Sequence, residues 1–362
     1  MNVFLIAGAR PNFMKIAPIY RASLTFSKVS CRIIHTGQHY DHDMSQSFFD
    51  DLDIPAPAFY LEAGSGSHAV QTAKIMVAFE AVCGKERPDL VVVVGDVNST
   101  LACSIVAKKL QIQVAHVEAG LRSFDLSMPE EINRMVTDAI TDWFFVTEES
   151  GVANLRQEGK PEDRIHLVGH VMIDNLLHQV KKLDEARICE SVKTLKQECG
   201  GEKAYTFMTL HRPSNVDDKN TFLGIAGALN KIAEDMAIIF PVHPRTKKMM
   251  EEFDIRFSEN IRLLSPLGFT ESLFLWKDAW MVLTDSGGLQ EETTALGVPC
   301  VTIRENTERP ITVEMGTNVL AGTSREGILN AVRQSMVKAE AASVPPLWDG
   351  KAAERIWAIL CG

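Results

Sequence analysis

The sequence predicts an α/β protein made of two doubly wound, Rossmann-like domains, each on a parallel sheet. Three observations carry that expectation. Short β-branched runs alternate with longer helical stretches from one end of the chain to the other. The runs are apolar throughout, as strands covered by helices on both faces must be. The pattern also restarts once, after a charged helical segment at 181–198 and the glycine pair Gly200-Gly201. At 362 residues the chain can bury a full core in each of two domains.

Residues 3–7, 32–36, 90–94, 113–117, 143–147 and 165–168 are the expected strands of a first domain spanning 1–170. Residues 205–210, 237–242, 261–264, 280–284, 300–303 and 318–321 are those of a second, spanning 171–345. The tail, 346–362, reads as a helix after the proline pair, and no short-period repeat interrupts the pattern. The apolar start at 1–9 lacks a basic segment and is too short for a secretory leader, so it reads as the first strand. Gly64-Ser65-Gly66-Ser67-His68-Ala69 matches the spacing of a dinucleotide loop. It follows the proline-rich Pro55-Ala56-Pro57 rather than a first strand, and such spacings are common by chance. The reading there is a loop entering a helix over 69–83.

Composition narrows the function. A formal net charge of -10 argues against a partner of duplex nucleic acid, which asks for a basic face. Seven scattered cysteines with no C-x-x-C pair suggest a reduced, cytoplasmic protein and no zinc site. No apolar stretch reaches membrane-spanning length.

The sharpest signature is Asp285-Ser286-Gly287-Gly288-Leu289-Gln290-Glu291-Glu292, at a strand-to-helix turn. Adjacent glycines there let helix-start amides approach a ligand, which suits phosphate. A carboxylate one turn further on suits the hydroxyls of a sugar. The blander alternative is a tight turn with no ligand. Five other polar signatures also end strands: Gly8 to Lys15, Gly95 to Thr100, His116 to Gly120, His211-Arg212-Pro213 and Pro241 to Pro244. Ligands of open parallel sheets bind at that end. Signatures in both halves therefore suggest a cleft with contacts on each wall.

Single residues remain open at this level. Arg10 and Lys15 are surface charges or phosphate partners, and Lys15 sits on an otherwise apolar helix start. Asp96, Glu118 and Glu130 are general acid/base candidates or structural acceptors. His211 and His243 are packed caps or contacts to a phosphate or leaving group. Arg304 and Arg309 are loop salt-bridge partners or cleft cations.

GARPNFMK at 8–15, GDVNST at 95–100, HVEAGLRS at 116–123, PEEINR at 129–134 and LHRPSNVD at 210–217 occur in that order. PVHPR at 241–245, DSGGLQEE at 285–292, RENTERP at 304–310 and DGKAAERI at 349–356 follow. Together they resemble the non-hydrolysing UDP-N-acetylglucosamine 2-epimerases. The resemblance implies a GT-B-like architecture, a final helix returning to the first domain, and a homodimer that closes on its UDP-sugar. It implies that Ser286, Gly287 and Gly288 hold the diphosphate and Glu292 the ribose. Arg10 and Lys15 would face the phosphates, with His211 near the leaving group and His243 and Arg309 as further substrate contacts. Asp96, Glu118 and Glu130 would be the acid/base carboxylates and Arg134 their positioner, with no metal and no cofactor. A role in cell-surface polysaccharide biosynthesis is part of the same expectation.

The chain also departs from the family. Many members have Glu where this one has Ser214 and Ile311. Its Gly37-Gln38-His39-Tyr40-Asp41 differs from the Gln-His-Arg version tied to allosteric activation by substrate. Rival expectations are an epimerase of a related diacetamido or uronic acid sugar, a GT-B glycosyltransferase, a hydrolysing epimerase and a non-catalytic sensor.

Overall fold

A computed structural model describes residues 1–37, 46–184, 187–200 and 204–362, without the side chains of residues 10 and 46–48. The chain divides into two compact units, Met1–Leu177 with Pro346–Gly362, and His178–Pro345.

The first unit carries seven strands: β1 (Asn2–Ala7), β2 (Ser30–His35), β3 (Phe59–Tyr60), β4 (Leu90–Val94), β5 (Gln113–Val117), β6 (Trp143–Val146) and β7 (Ile165–Leu167). All pair in parallel, in the order β3-β2-β1-β4-β5-β6-β7. Successive residues of a strand point to opposite faces, and the core divides accordingly. Val3, Leu5, Val92, Val94 and Val117 face Phe13, Ile16 and Ile19 of the Arg10–Ser23 helix. Phe4, Ile6, Val91, Val93 and Val114 face Ile75 and Phe79 of the His68–Lys85 helix and Ala102, Cys103 and Val106 of the Asn98–Lys109 helix. A strand sandwiched in this way has no polar face, which is why these runs read as continuous apolar segments.

The second unit has six strands: β8 (Thr206–Thr209), β9 (Ile238–Pro241), β10 (Ile261–Leu264), β11 (Met281–Thr284), β12 (Cys300–Thr302) and β13 (Asn318–Leu320). They too are parallel, in the order β10-β9-β8-β11-β12-β13. The order reverses direction between β1 and β4 in the first unit and between β8 and β11 in the second. A crevice opens at the carboxyl ends of the strands at such a point.

Three differences from expectation have local causes. The two-residue β3 is too short for any periodicity and lies just past Pro55 and Pro57. The charged segment is not one helix: Val171–Lys182 and Glu190–Gly200 are separate, and Cys189 begins the second. The tail turns helical only at Ala352, after Gly350 at φ +82°. That last helix packs into the first unit's core through Ile356 and Trp357, and Trp357 donates Nε1–H to the Ile19 carbonyl at 2.7 Å. Asp174 accepts from the amides of Ala352 and Ala353 at 3.1 and 2.7 Å, capping its start.

Candidate active site

In the first unit, register decides which residues meet. Val94 of β4 lies opposite Val117 of β5, so Gly95-Asp96 and Glu118 leave adjacent strands at the same end. Lys15, on the second turn of the Arg10–Ser23 helix, reaches that point. Its Nζ lies 2.5 Å from Glu118 Oε2, and the Glu118 side chain is only 6% exposed. Gly95 leaves room for the ammonium: a Cβ there would lie 2.9 Å from Lys15 Nζ, and the residue's φ of +65° also favours glycine. Glu118 itself sits at φ +69°, a costly conformation for a residue with a side chain.

Asp96 is ion-paired to Arg134, whose other nitrogen lies 3.2 Å from Glu131 Oε2. Burial favours a raised Glu131 pKa, but the amides of Ser123 and Phe124, with Arg134, hold the carboxyl below its ordinary range. Asn133 donates to the Asp96 carbonyl at 2.8 Å. The Pro129–Ile140 helix thus grips both turns. Glu130 sits exposed on its first turn, beside the buried Glu131. Arg10 opens the Arg10–Ser23 helix. Most of the segment expected to bear on regulation, from Gln38 on, lies outside the described residues.

In the second unit Thr284 lies opposite Thr209, which sets Asp285 beside His211. Asp285 is fully buried and accepts from the amides of His211 and Arg212 at 2.8 and 2.7 Å. His211 Nδ1 is 2.8 Å from its other oxygen. Burial would raise the Asp285 pKa, yet His211 and those amides together hold it below the carboxylate norm. Sequence reasoning missed this dyad, since the residues lie 74 positions apart; the adjacency of two strand-end signatures was the available signal.

His211, His243, Ser286, Gly288 and Glu292 line one cavity of about 320 Å³, together with apolar groups including Phe207, Leu267, Phe269 and Trp276. A Cβ added at Gly287 or Gly288 would meet nothing within 4 Å. Neither glycine is therefore demanded by packing within the protein. Desolvation pushes the Glu292 carboxyl up to about 8, with Glu291 adding to the rise. His243 is shifted down, first by burial and then by His211 and Arg245.

The open question about the 304–310 loop resolves into ion pairs. Arg304 pairs with Glu308 at 2.6 Å and Arg309 with Glu291 at 2.6 Å. Gln290 accepts from Thr307 at 2.6 Å and from Asn318 at 3.0 Å, tying the loop to the signature helix. Arg309 is not among the cavity-lining residues.

Two parallel α/β units, one with an amide-fronted cavity and one with paired carboxylates at the sheet's reversal point, define a GT-B-like protein. A family model described as UDP-N-acetylglucosamine 2-epimerase matches residues 23–361. The UDP-N-acetylglucosamine 2-epimerase of Methanocaldococcus jannaschii is 44% identical over 366 residues, covering 99% of each chain. A crystal structure of the M. jannaschii UDP-GlcNAc 2-epimerase, in complex with UDP-GlcNAc and UDP, superposes with a TM-score of 0.84 at 43% identity. That match covers 100% of this chain and 99% of the other. The UDP-2,3-diacetamido-2,3-dideoxy-D-glucuronate 2-epimerase of Pseudomonas aeruginosa is 37% identical, covering 98% of both chains. The chain belongs to the UDP-N-acetylglucosamine 2-epimerase family.

Proposed function

We propose that the protein interconverts UDP-N-acetylglucosamine and UDP-N-acetylmannosamine by anti elimination of UDP to 2-acetamidoglucal and syn re-addition. The C2 proton has no neighbouring carbonyl, so its direct removal is hard. Loss of UDP from C1 builds positive charge on the ring and makes that proton removable. The route needs donors on the departing diphosphate and carboxylates that take the proton and return it on the other face. Ser286, Gly287 and Gly288 with His211 and His243 provide the first, and Glu292 accepts from the ribose hydroxyls. Asp96, Glu118 and Glu130 provide the second, with Arg134 positioning Asp96. Arg10 and Lys15 face the phosphates, and Arg309 is a further substrate contact. We place the enzyme in the cytoplasm as a homodimer that needs neither metal nor NAD.

The observation that carries this reading is the pair of carboxylates at adjacent strand ends, each held by its own cation. A protein that only bound UDP would have no use for them. The test is proton NMR in deuterated water with UDP-N-acetylglucosamine and no acceptor. Deuterium should enter at C2 as the two sugars reach equilibrium. A glycosyltransferase would leave the sugar unchanged, and a hydrolysing enzyme would release free N-acetylmannosamine. The Pseudomonas aeruginosa relative favours one second reading, a 2,3-diacetamido uronic acid substrate. Label entering that sugar's C2 and not the first would select it.

A further inference from the structure

The reaction scheme leaves the buried pair His116 and Asp138 without a task, although both side chains are 0% exposed. His116 lies two residues before Glu118, on β5. Its Nε2 is 2.8 Å from the carbonyl of Gly95, the residue just before Asp96. Its Nδ1 is 2.7 Å from Asp138 Oδ1. The other Asp138 oxygen accepts from the Gly120 amide at 3.0 Å and from Arg122 at 2.7 Å. Arg122 in turn is held by Glu158 through two bonds of 2.8 and 2.9 Å. The two ring nitrogens of His116 thus bridge the Gly95 carbonyl and the Asp138 carboxyl.

Position gives this network its meaning. The β4–β5 ladder ends at Val94 and Val117, one step short of the reacting groups. Past that point each turn runs through a left-handed glycine, Gly95 at φ +65° and Gly120 at φ +78°. The His116–Asp138 pair ties the carbonyl before Asp96 to the amide two residues after Glu118. It continues the cross-linking of the two strands past the ladder. A buried polar pair is an expensive way to fill a core, and apolar side chains of the same volume would pack as well. They could not bind a carbonyl on one turn and an amide on the other.

We propose that His116, oriented by Asp138, is a positioning residue that sets the spacing of Asp96 and Glu118. The inference rests on the proposed epimerase chemistry and adds a residue pair to it. Misplacing either carboxylate slows proton removal and return while leaving uridine diphosphate binding to the other unit intact.

The experiment compares wild type with His116→Gln and His116→Asn. Glutamine keeps an amide N–H near the old Nε2, and asparagine keeps one near the old Nδ1. Turnover should fall about 10²-fold in His116→Asn and about tenfold in His116→Gln, which retains the Gly95 contact. Calorimetric UDP affinity should stay within about twofold in both. NMR should show more released 2-acetamidoglucal per turnover in each variant, a readout that general loosening of the fold would not produce. Turnover within about threefold of wild type in both variants overturns the inference. So does a loss of turnover matched by equal losses of UDP affinity and thermal stability. An inert wild type overturns the proposed function and this inference together, whereas an active wild type with unaffected variants overturns the inference alone.

Discussion

The two units share a topology and place their candidate residues at the same point of it, yet those points are built differently. In the first unit the reversal point is filled with charge: Lys15 on Glu118, Arg134 on Asp96 and on Glu131. In the second it is a cavity lined by Gly288, His211 and His243, with a partly buried Glu292 whose protonation burial favours. Ion pairs hold the first unit's carboxylates in place. In the second unit a helix begins at the cavity. A shared scaffold therefore puts both sets of candidate residues at strand ends, and the side chains there give one set ion pairs and the other a cavity.

That contrast breaks most visibly if the carboxylates are neutralised. Asp96→Asn, Glu118→Gln and Glu130→Gln should each lower turnover about 10³-fold, with UDP affinity unchanged by calorimetry. Near-normal rates in all three would dissolve the division of labour. A smaller loss, about 10²-fold, is expected for Asp285→Asn, which leaves His211 Nδ1 without its carboxylate. Rescue of that variant by a substrate analogue with a better leaving group would sharpen the role of His211.

Gly288→Ala separates ligand space from protein space. The added methyl meets no protein atom, and alanine favours a helix by about 0.5–1 kcal/mol over glycine. The unliganded protein should melt slightly higher while UDP binds about tenfold more weakly, because the methyl occupies the diphosphate's path. Unchanged UDP affinity would place the diphosphate elsewhere. The smallest effect belongs to Glu292. Its folded pKa of about 8 lies above the ordinary 4.5, so the stability it confers is present at acid pH and lost as pH rises towards 8. Relative to Glu292→Gln, the unliganded wild type should lose a few degrees of melting temperature, on the order of 2–4 °C, between pH 5 and 8.

Strand positions were readable because a strand buried on both faces must be apolar at every residue, as 90–94 is. The turn at 285–292 was equally readable as a strand-to-helix junction, since the glycine pair opens the helix there. Glu131 was not: it and Glu130 are adjacent acids, and only the helix's orientation buries one and exposes the other. Arg309 read equally as a loop salt-bridge partner or a cleft cation, and only the fold shows its pairing with Glu291. The His116–Asp138 and His211–Asp285 contacts join residues 22 and 74 positions apart, distances at which local pattern carries no information.

From the chain alone came the repeating strand–helix grammar, its single restart, and the short polar signatures where strands end. Those follow from local rules, the burial of both sheet faces and the geometry of a helix start. Folding alone determined which signatures touch, because strand order and register bring together segments far apart in the chain. It also set the charge balance of each acid, since a carboxyl's environment is made by neighbours that the covalent sequence does not specify.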